Sequence, residues 1–172
     1  MSFTKSNKVS TSRRAYSNST GRMAETRFIR SARRKGMMCT KSSHTEDIHK
    51  HIDYWVAIKS GKKWGVDVKG NNLPDEIWCE FKNVQGKPGW MYGGAHYIAF
   101  DMPEVGGFCI VSREELCFFC EKHVIDEVVT NKKEAYLKKY TRKDREDCIT
   151  LIRLSDLESM VSYRVWEYDK EY

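Results

Sequence analysis

The chain has no stretch long and apolar enough to span a membrane, and no signal-peptide pattern. Secretion and membrane residence are therefore not expected, and the anticipated location is the cytoplasm (a host cell's, if the chain is phage-encoded). Its six cysteines, at positions 39, 79, 109, 117, 120 and 148, follow no disulfide-framework spacing. They read as reduced thiols that mostly fill the core. The densest group, Cys117, Cys120 and His123, lacks a fourth ligand and falls in a segment that reads as helix, which argues against a structural zinc. There is no internal repeat and no regular alternation of strand and helix, so solenoid and doubly wound folds are not indicated. Acidic residues are nearly absent from positions 1–43, where eleven Lys and Arg accompany only Glu25.

What is present follows from that asymmetry. The net charge of +6 is concentrated at the N-terminus, and the remainder of the chain is mildly acidic. A polyanionic partner is the simplest use for such a segment, with DNA first and RNA also open; no membrane partner is expected. A hydrophobic content of 40% with 12% aromatics is enough to bury a core, which excludes wholesale disorder. Residues 1–20 are rich in Ser, Thr, Asn, Lys and Arg without a hydrophobic period, and read as a flexible basic arm. Residues 21–172 read as one α/β domain, a mixed β-sheet flanked by helices.

Within it, residues 21–35 predict a helix. Glu25, Phe28, Ile29 and Ala32 share one stripe, Arg27, Arg30 and Arg34 lie opposite, and Gly36 supplies the stop. A short strand over 37–40 and a polar loop to His49 follow. Three apolar runs come next. The first carries Asp53, the second Asp67-Val68-Lys69, and the third Glu80-Phe81-Lys82. Lys59–Lys63 forms a turn between the first two, which makes them a hairpin. Side chains two apart in a strand share a face, so Asp67 and Lys69 project together while Trp64, Val66 and Val68 turn into a core. Two carboxylates and a lysine at a sheet corner suit a hard divalent cation beside a phosphate. His49 and His51 flank Asp53, and a histidine-based site is the lesser alternative there. The glycine-rich stretch 85–95 carries Trp90 and Tyr92, able to stack a base or to pack as a turn. Further strands are expected at 97–100, 107–111, 149–154 and 163–166. Helices open at the capping boxes Ser112–Glu115 and Ser155–Glu158, and the charged stretch 132–145 is a solvated helix or loop.

The order of a helix with Glu25, a strand with Asp53 and a strand with Asp67-x-Lys69 resembles the PD-(D/E)xK nuclease superfamily, in particular its archaeal Holliday-junction-resolvase branch. The segment IWCEFKNVQGKPGWMYGGAHYIAFD (77–101) also looks like uncharacterised phage proteins of this type. The resemblance implies a restriction-endonuclease-like αβββαβ core and a Mg²⁺- or Mn²⁺-dependent endonuclease acting on DNA, with branched DNA as one substrate and a homodimer as one assembly. It implies Glu25, Asp53, Asp67 and Lys69 as catalytic residues and Asp53, Asp67 and the Val68 carbonyl as metal ligands. Glu80, Lys82 and Gln85 are adjuncts, and Glu80-x-Lys82 is the competing triplet. Arg27, Arg30, Arg34, Lys59, Lys62, Lys63, Trp90 and Tyr92 would contact nucleic acid. A scaffold that binds nucleic acid without catalysis, and a protein-interaction module, are the other readings.

Overall fold

The computed structural model describes residues 5–170, with side chains from Ser19 onward. Helix α1 (Lys5–Arg34) is followed by β1 (Met38–Lys41), α2 (His44–Lys50), β2 (Tyr54–Ala57), β3 (Lys63–Lys69) and β4 (Glu76–Lys82). A single 3-10 turn (Trp90–Tyr92) leads to β5 (Tyr97–Met102), β6 (Gly107–Ser112), α3 (Arg113–His123) and β7 (Ile125–Val129). A second 3-10 turn (Lys132–Glu134) precedes β8 (Lys138–Tyr140), β9 (Cys148–Arg153), α4 (Leu154–Glu158) and β10 (Arg164–Glu167).

The strands form two mixed sheets rather than the one expected. The larger has the order β1-β2-β3-β5-β6-β10, and only its β3–β5 pair is parallel. The smaller has the order β4-β9-β8-β7, parallel only between β7 and β8. The third apolar run therefore does not pair beside β3. The reason is that β4 buries Ile77, Cys79 and Phe81 on one side, and that side faces the large sheet instead of extending it.

Each face of the large sheet has its own core. On one, Tyr54, Val56, Val66, Val68, Ala99, Phe108 and Ile110 meet Ala24 and Phe28 of α1. Ala24, Phe28 and Ala32 recur every four residues and are fully buried, the single stripe that seats the helix. On the other face, Ile98, Phe100, Met102, Cys109 and Val111 pack against β4, β9, Leu116 and Cys120 of α3, and Leu157. Gly36, at φ 73°, ends α1 in the left-handed conformation that its sequence position suggested.

Three local expectations change. The arm over 1–20 is helical from Lys5 onward, because residues 5–20 contain no Pro or Gly and extend a helix already nucleated by its packed end; residues 1–4 lie outside the described region. The loop before His49 is α2, capped by Ser43, whose hydroxyl accepts from the Glu46 amide while the Glu46 carboxylate accepts from the Ser43 amide. The charged stretch 132–145 includes β8, and β7 was not foreseen.

Phe28 touches the rings of Tyr54, Phe108 and Trp166 and is wholly enclosed. Phe28→Ala is therefore expected to cost about 3–5 kcal/mol, read from urea unfolding, whereas Arg33→Ala on the exposed side of α1 should cost less than about 0.5 kcal/mol.

Candidate active site

The site begins where β2 stops accompanying β3. The ladder holds while Tyr54 faces Val66, and the Asp53 amide still donates to the Val66 carbonyl at 2.9 Å. One step further out, the chain turns away. The Ile52 carbonyl is taken by the Ser42 hydroxyl, and the Ile52 side chain packs into the inter-sheet core, not on the Tyr54 face where alternation would place it. The Val68 amide is thereby left without a backbone acceptor on this side. The Asp53 carboxylate fills that role, with Oδ2 accepting from Val68 N at 2.8 Å. In a strand the amide and carbonyl of one residue point the same way, so the Val68 carbonyl shares this corner.

Asp67 lies between Val66 and Val68, on the face that looks toward the second sheet. Its Cα is paired with Ile98 of β5, and the residue is 2% exposed. Lys69, two residues on, projects the same way and bonds Asp67 Oδ1 at 2.8 Å, with 29% of its side chain exposed. Asp67 Oδ2 is buried with no hydrogen-bond partner. A charged oxygen left in this state is costly unless something cationic approaches it or a proton covers it.

The electrostatics follow from burial. Asp53 is pushed up to about 7, first by desolvation and then by the charge of Asp67, against the Val68 amide, Lys69 and Lys41. Asp67 is raised too, chiefly by burial, with the charge and hydrogen bond of Lys69 opposing. Burial works against the Lys69 charge, yet Asp67, Asp53 and Glu80 together raise it, so it stays an ammonium. The corner thus holds two carboxyls that compete for one proton beside a fixed cation. That pattern separates acid and base roles between neighbouring groups.

The surrounding residues sort themselves by what they touch. Glu25 reaches the corner only indirectly: its Oε2 accepts from Tyr54 Oη at 2.7 Å and Lys41 Nζ at 2.9 Å, and Lys41 in turn feels Asp53. Glu80 comes from the second sheet rather than from a strand adjoining β3, and its charge is felt by both Lys69 and His51. His51, half-buried at the C-terminal end of α2 in a left-handed conformation, is lowered by burial and by Lys69. His49 is exposed. Lys82, the last residue of β4, and Gln85, beyond it, are exposed; Lys82 lines a different cleft, with Tyr92 and Glu121. Lys41, Ser42 and Glu46 were missed from the sequence. The Ser43–Glu46 capping spacing was the available signal for the last.

The expected nucleic-acid contacts are corrected in part. Arg27 pairs with the buried Asp101, and its guanidinium lies 5.7 Å from the Tyr168 ring centre. Arg34 donates to the Tyr168 carbonyl at 3.0 Å. Both tie α1 to the C-terminal segment; Arg27 is an anchor because the buried Asp101 carboxylate demands a partner, while Arg34 ties the helix end from the surface. Arg30 is exposed on the same helix. Trp90 is 7% exposed and forms a wall, with Lys69 Nζ 5.2 Å from its ring centre, so of the two readings of this loop the packed turn is the one formed. Arg113 holds that turn by donating to the carbonyls of Met91 and Ala95, each at 2.8 Å. Tyr92 is 48% exposed and donates to Glu121 at 3.2 Å. Lys59, Lys62 and Lys63 are exposed on the hairpin turn; Lys62 covers Trp64 and Lys63 covers Trp55.

Among the described residues, no three His, Cys, Asp or Glu side chains gather into a group that could hold a metal ion. The zinc alternative at Cys117, Cys120 and His123 is not formed: Cys120 is buried, and the His123 ring stacks on Phe119 at 4.5 Å. Two carboxylates, a carbonyl and waters are nevertheless an ordinary set for Mg²⁺, which keeps much of its hydration. The partnerless Asp67 Oδ2 beside Asp53 fits such an ion. No protein family, curated protein or solved structure matches the chain.

An aspartate raised to about 7 binds its proton more tightly folded than unfolded, so its ionisation destabilises the fold as pH climbs from about 4 to 7. Asp53→Asn keeps an oxygen for Val68 N and removes that titration. Urea unfolding across this range should show the variant with a flatter pH profile, gaining of order 1–3 kcal/mol on wild type by pH 8.

Proposed function

We propose that the protein is a metal-dependent nuclease that hydrolyses phosphodiester bonds in DNA, branched DNA included. The observation that carries this reading is the meeting of Asp53, Asp67 and Lys69 at the corner where β2 leaves β3, with one buried carboxylate oxygen unsatisfied. Chain order supports it. A helix bearing Glu25 precedes a β1-β2-β3 meander, and β5 then runs parallel to β3, as the resemblance to the PD-(D/E)xK superfamily implies. The crossover between β3 and β5 here passes through β4 and the Trp90 turn in place of a helix.

In this reading Asp53, Asp67 and the Val68 carbonyl would hold Mg²⁺ or Mn²⁺, which supplies polarisation of the scissile phosphate and a more acidic bound water. Lys69, fixed by Asp67 and walled by Trp90, orients the attacking water and offsets charge that grows on the phosphate oxygens. Glu80 and His51 stand behind Lys69 and tune its field. Glu25 acts as a positioning residue, holding Lys41 and the Tyr54 hydroxyl on the helix side of the strand. Lys59, Lys62 and Lys63 reach for the phosphate backbone from the hairpin tip.

One observation favours a second reading. Lys69 already pairs with Asp67 Oδ1, as in a buried ion pair that only secures the hairpin, on a nucleic-acid-binding scaffold without catalysis.

Labelled linear, flapped, four-way and single-stranded DNAs incubated with Mg²⁺ or Mn²⁺ separate the two. Nuclease action predicts cleavage that falls by about 10²-fold or more in Asp67→Asn and in Lys69→Ala while circular dichroism is unchanged. Salt-sensitive binding without cleavage under any divalent ion supports the second reading. Normal cutting by both variants overturns the first.

A further inference from the structure

Against Trp90 lies a pocket of about 360 Å³ that none of the roles above uses. It sits on the outer face of the small sheet. Ile149 of β9 forms the floor, Trp78 and Glu80 of β4 form one side, and Tyr140 of β8 forms the other. The Trp78 and Tyr140 rings lie 5.6 Å apart with a 32° tilt, both partly exposed. Two cations border them. Lys132 Nζ is 5.8 Å from the Trp78 ring centre and exposed, and Arg142 is tied through Nε to the buried Asp147.

This pocket shares two residues with the surroundings of the proposed site. Trp90 lines it and also has Lys69 Nζ 5.2 Å from its ring centre, and Glu80 lines it while its charge reaches Lys69. The shared wall is rigid: Trp90 is buried, and Gly89 before it leaves no room for a Cβ against the Glu80 carbonyl.

Aromatic rings on an open sheet face, an aliphatic floor and flanking cations match the chemistry of an unpaired nucleotide. The π-face of a base stacks on such rings whatever its identity, cations take the phosphate, and a carboxylate at the rim accepts from an exocyclic amine. A base inside a duplex presents no free face, so a stacked helix gains nothing from this pocket. We infer that the pocket formed by Trp78, Glu80, Trp90, Lys132 and Tyr140 binds an unpaired nucleobase of the strand being cut. The substrate class is accordingly DNA with an unpaired nucleotide next to the scissile phosphate. The position beside the cut rests on the nuclease reading; the base pocket itself does not.

The test is fluorescence anisotropy in EDTA, with a short labelled single-stranded oligodeoxynucleotide and a blunt duplex of the same length. Trp78→Ala and Lys132→Glu are each expected to weaken single-strand binding by about tenfold or more, and duplex binding by less than about twofold. Lys132 is exposed, so its variant keeps the test decisive if Trp78→Ala does not fold. Single-strand binding equal to wild type in Lys132→Glu and in any folded Trp78 variant overturns the inference, as does a wild-type protein that does not bind single strands. The two readings fail separately. If Asp67→Asn cuts normally but single-strand binding still needs Trp78 and Lys132, the catalytic assignment falls and the base pocket stands. If Asp67→Asn is inactive while the pocket variants bind and cut tailed duplexes as wild type does, the pocket falls alone.

Discussion

The arrangement of this molecule depends on one broken ladder rung. Where β2 leaves β3, the Val68 amide needs an acceptor that the backbone no longer offers, and the Asp53 carboxylate supplies it. That bond holds an ionisable group in a partly buried corner, one residue from the fully buried Asp67. Burial makes two carboxylates there expensive, and Lys69 offsets only part of the cost, which leaves Asp67 Oδ2 without a partner. Burial therefore disfavours the ionised form of both carboxyls. In the proposed reading, a divalent cation would relieve that cost.

The second sheet gives the corner its shape. Had β4 paired beside β3, the Asp67 face would look into solvent or a helix. Because β4 packs across the large sheet instead, Asp67 is enclosed, Trp90 is pressed against Lys69, and Glu80 is brought close enough for its charge to matter. The same displacement leaves the outer face of the small sheet open, with Trp78 and Tyr140 uncovered. Helix α1 is secured from the opposite side by Phe28 and by the clamp of Arg27 and Arg34 on residues 101, 168 and 169. Two of the three arginines that looked like a DNA-binding stripe are thus spent on holding the helix. In the proposed reading, contact with a polyanion would rest on the hairpin lysines, which are exposed.

Much of the local structure was legible in the chain. The 59–63 turn, the shared face of Asp67 and Lys69, the strands around 97–112, the Gly36 stop and the Ser112 cap all follow from alternation, turn chemistry and capping, which depend on near neighbours only. The α2 helix was readable too, from Ser43 and Glu46, and was passed over because the segment has no buried residue and so shows no apolar period. The Trp90 turn could not be decided in advance. A tryptophan among glycines suits a stacking loop and a packed turn equally, and only Arg113 and the Glu80 backbone close on it.

By itself, the sequence determined that Asp67 and Lys69 share a face of one strand of a hairpin, since a period of two and a five-residue turn leave little freedom; that Asp53 stands just before the partner strand was decided by the fold. Only the tertiary structure decided which sheet takes the third strand, whether Arg27 meets a phosphate or Asp101, and how deeply Asp67 is buried. Those outcomes depend on which apolar faces find each other across the core, a competition among residues far apart in the chain that no local pattern records.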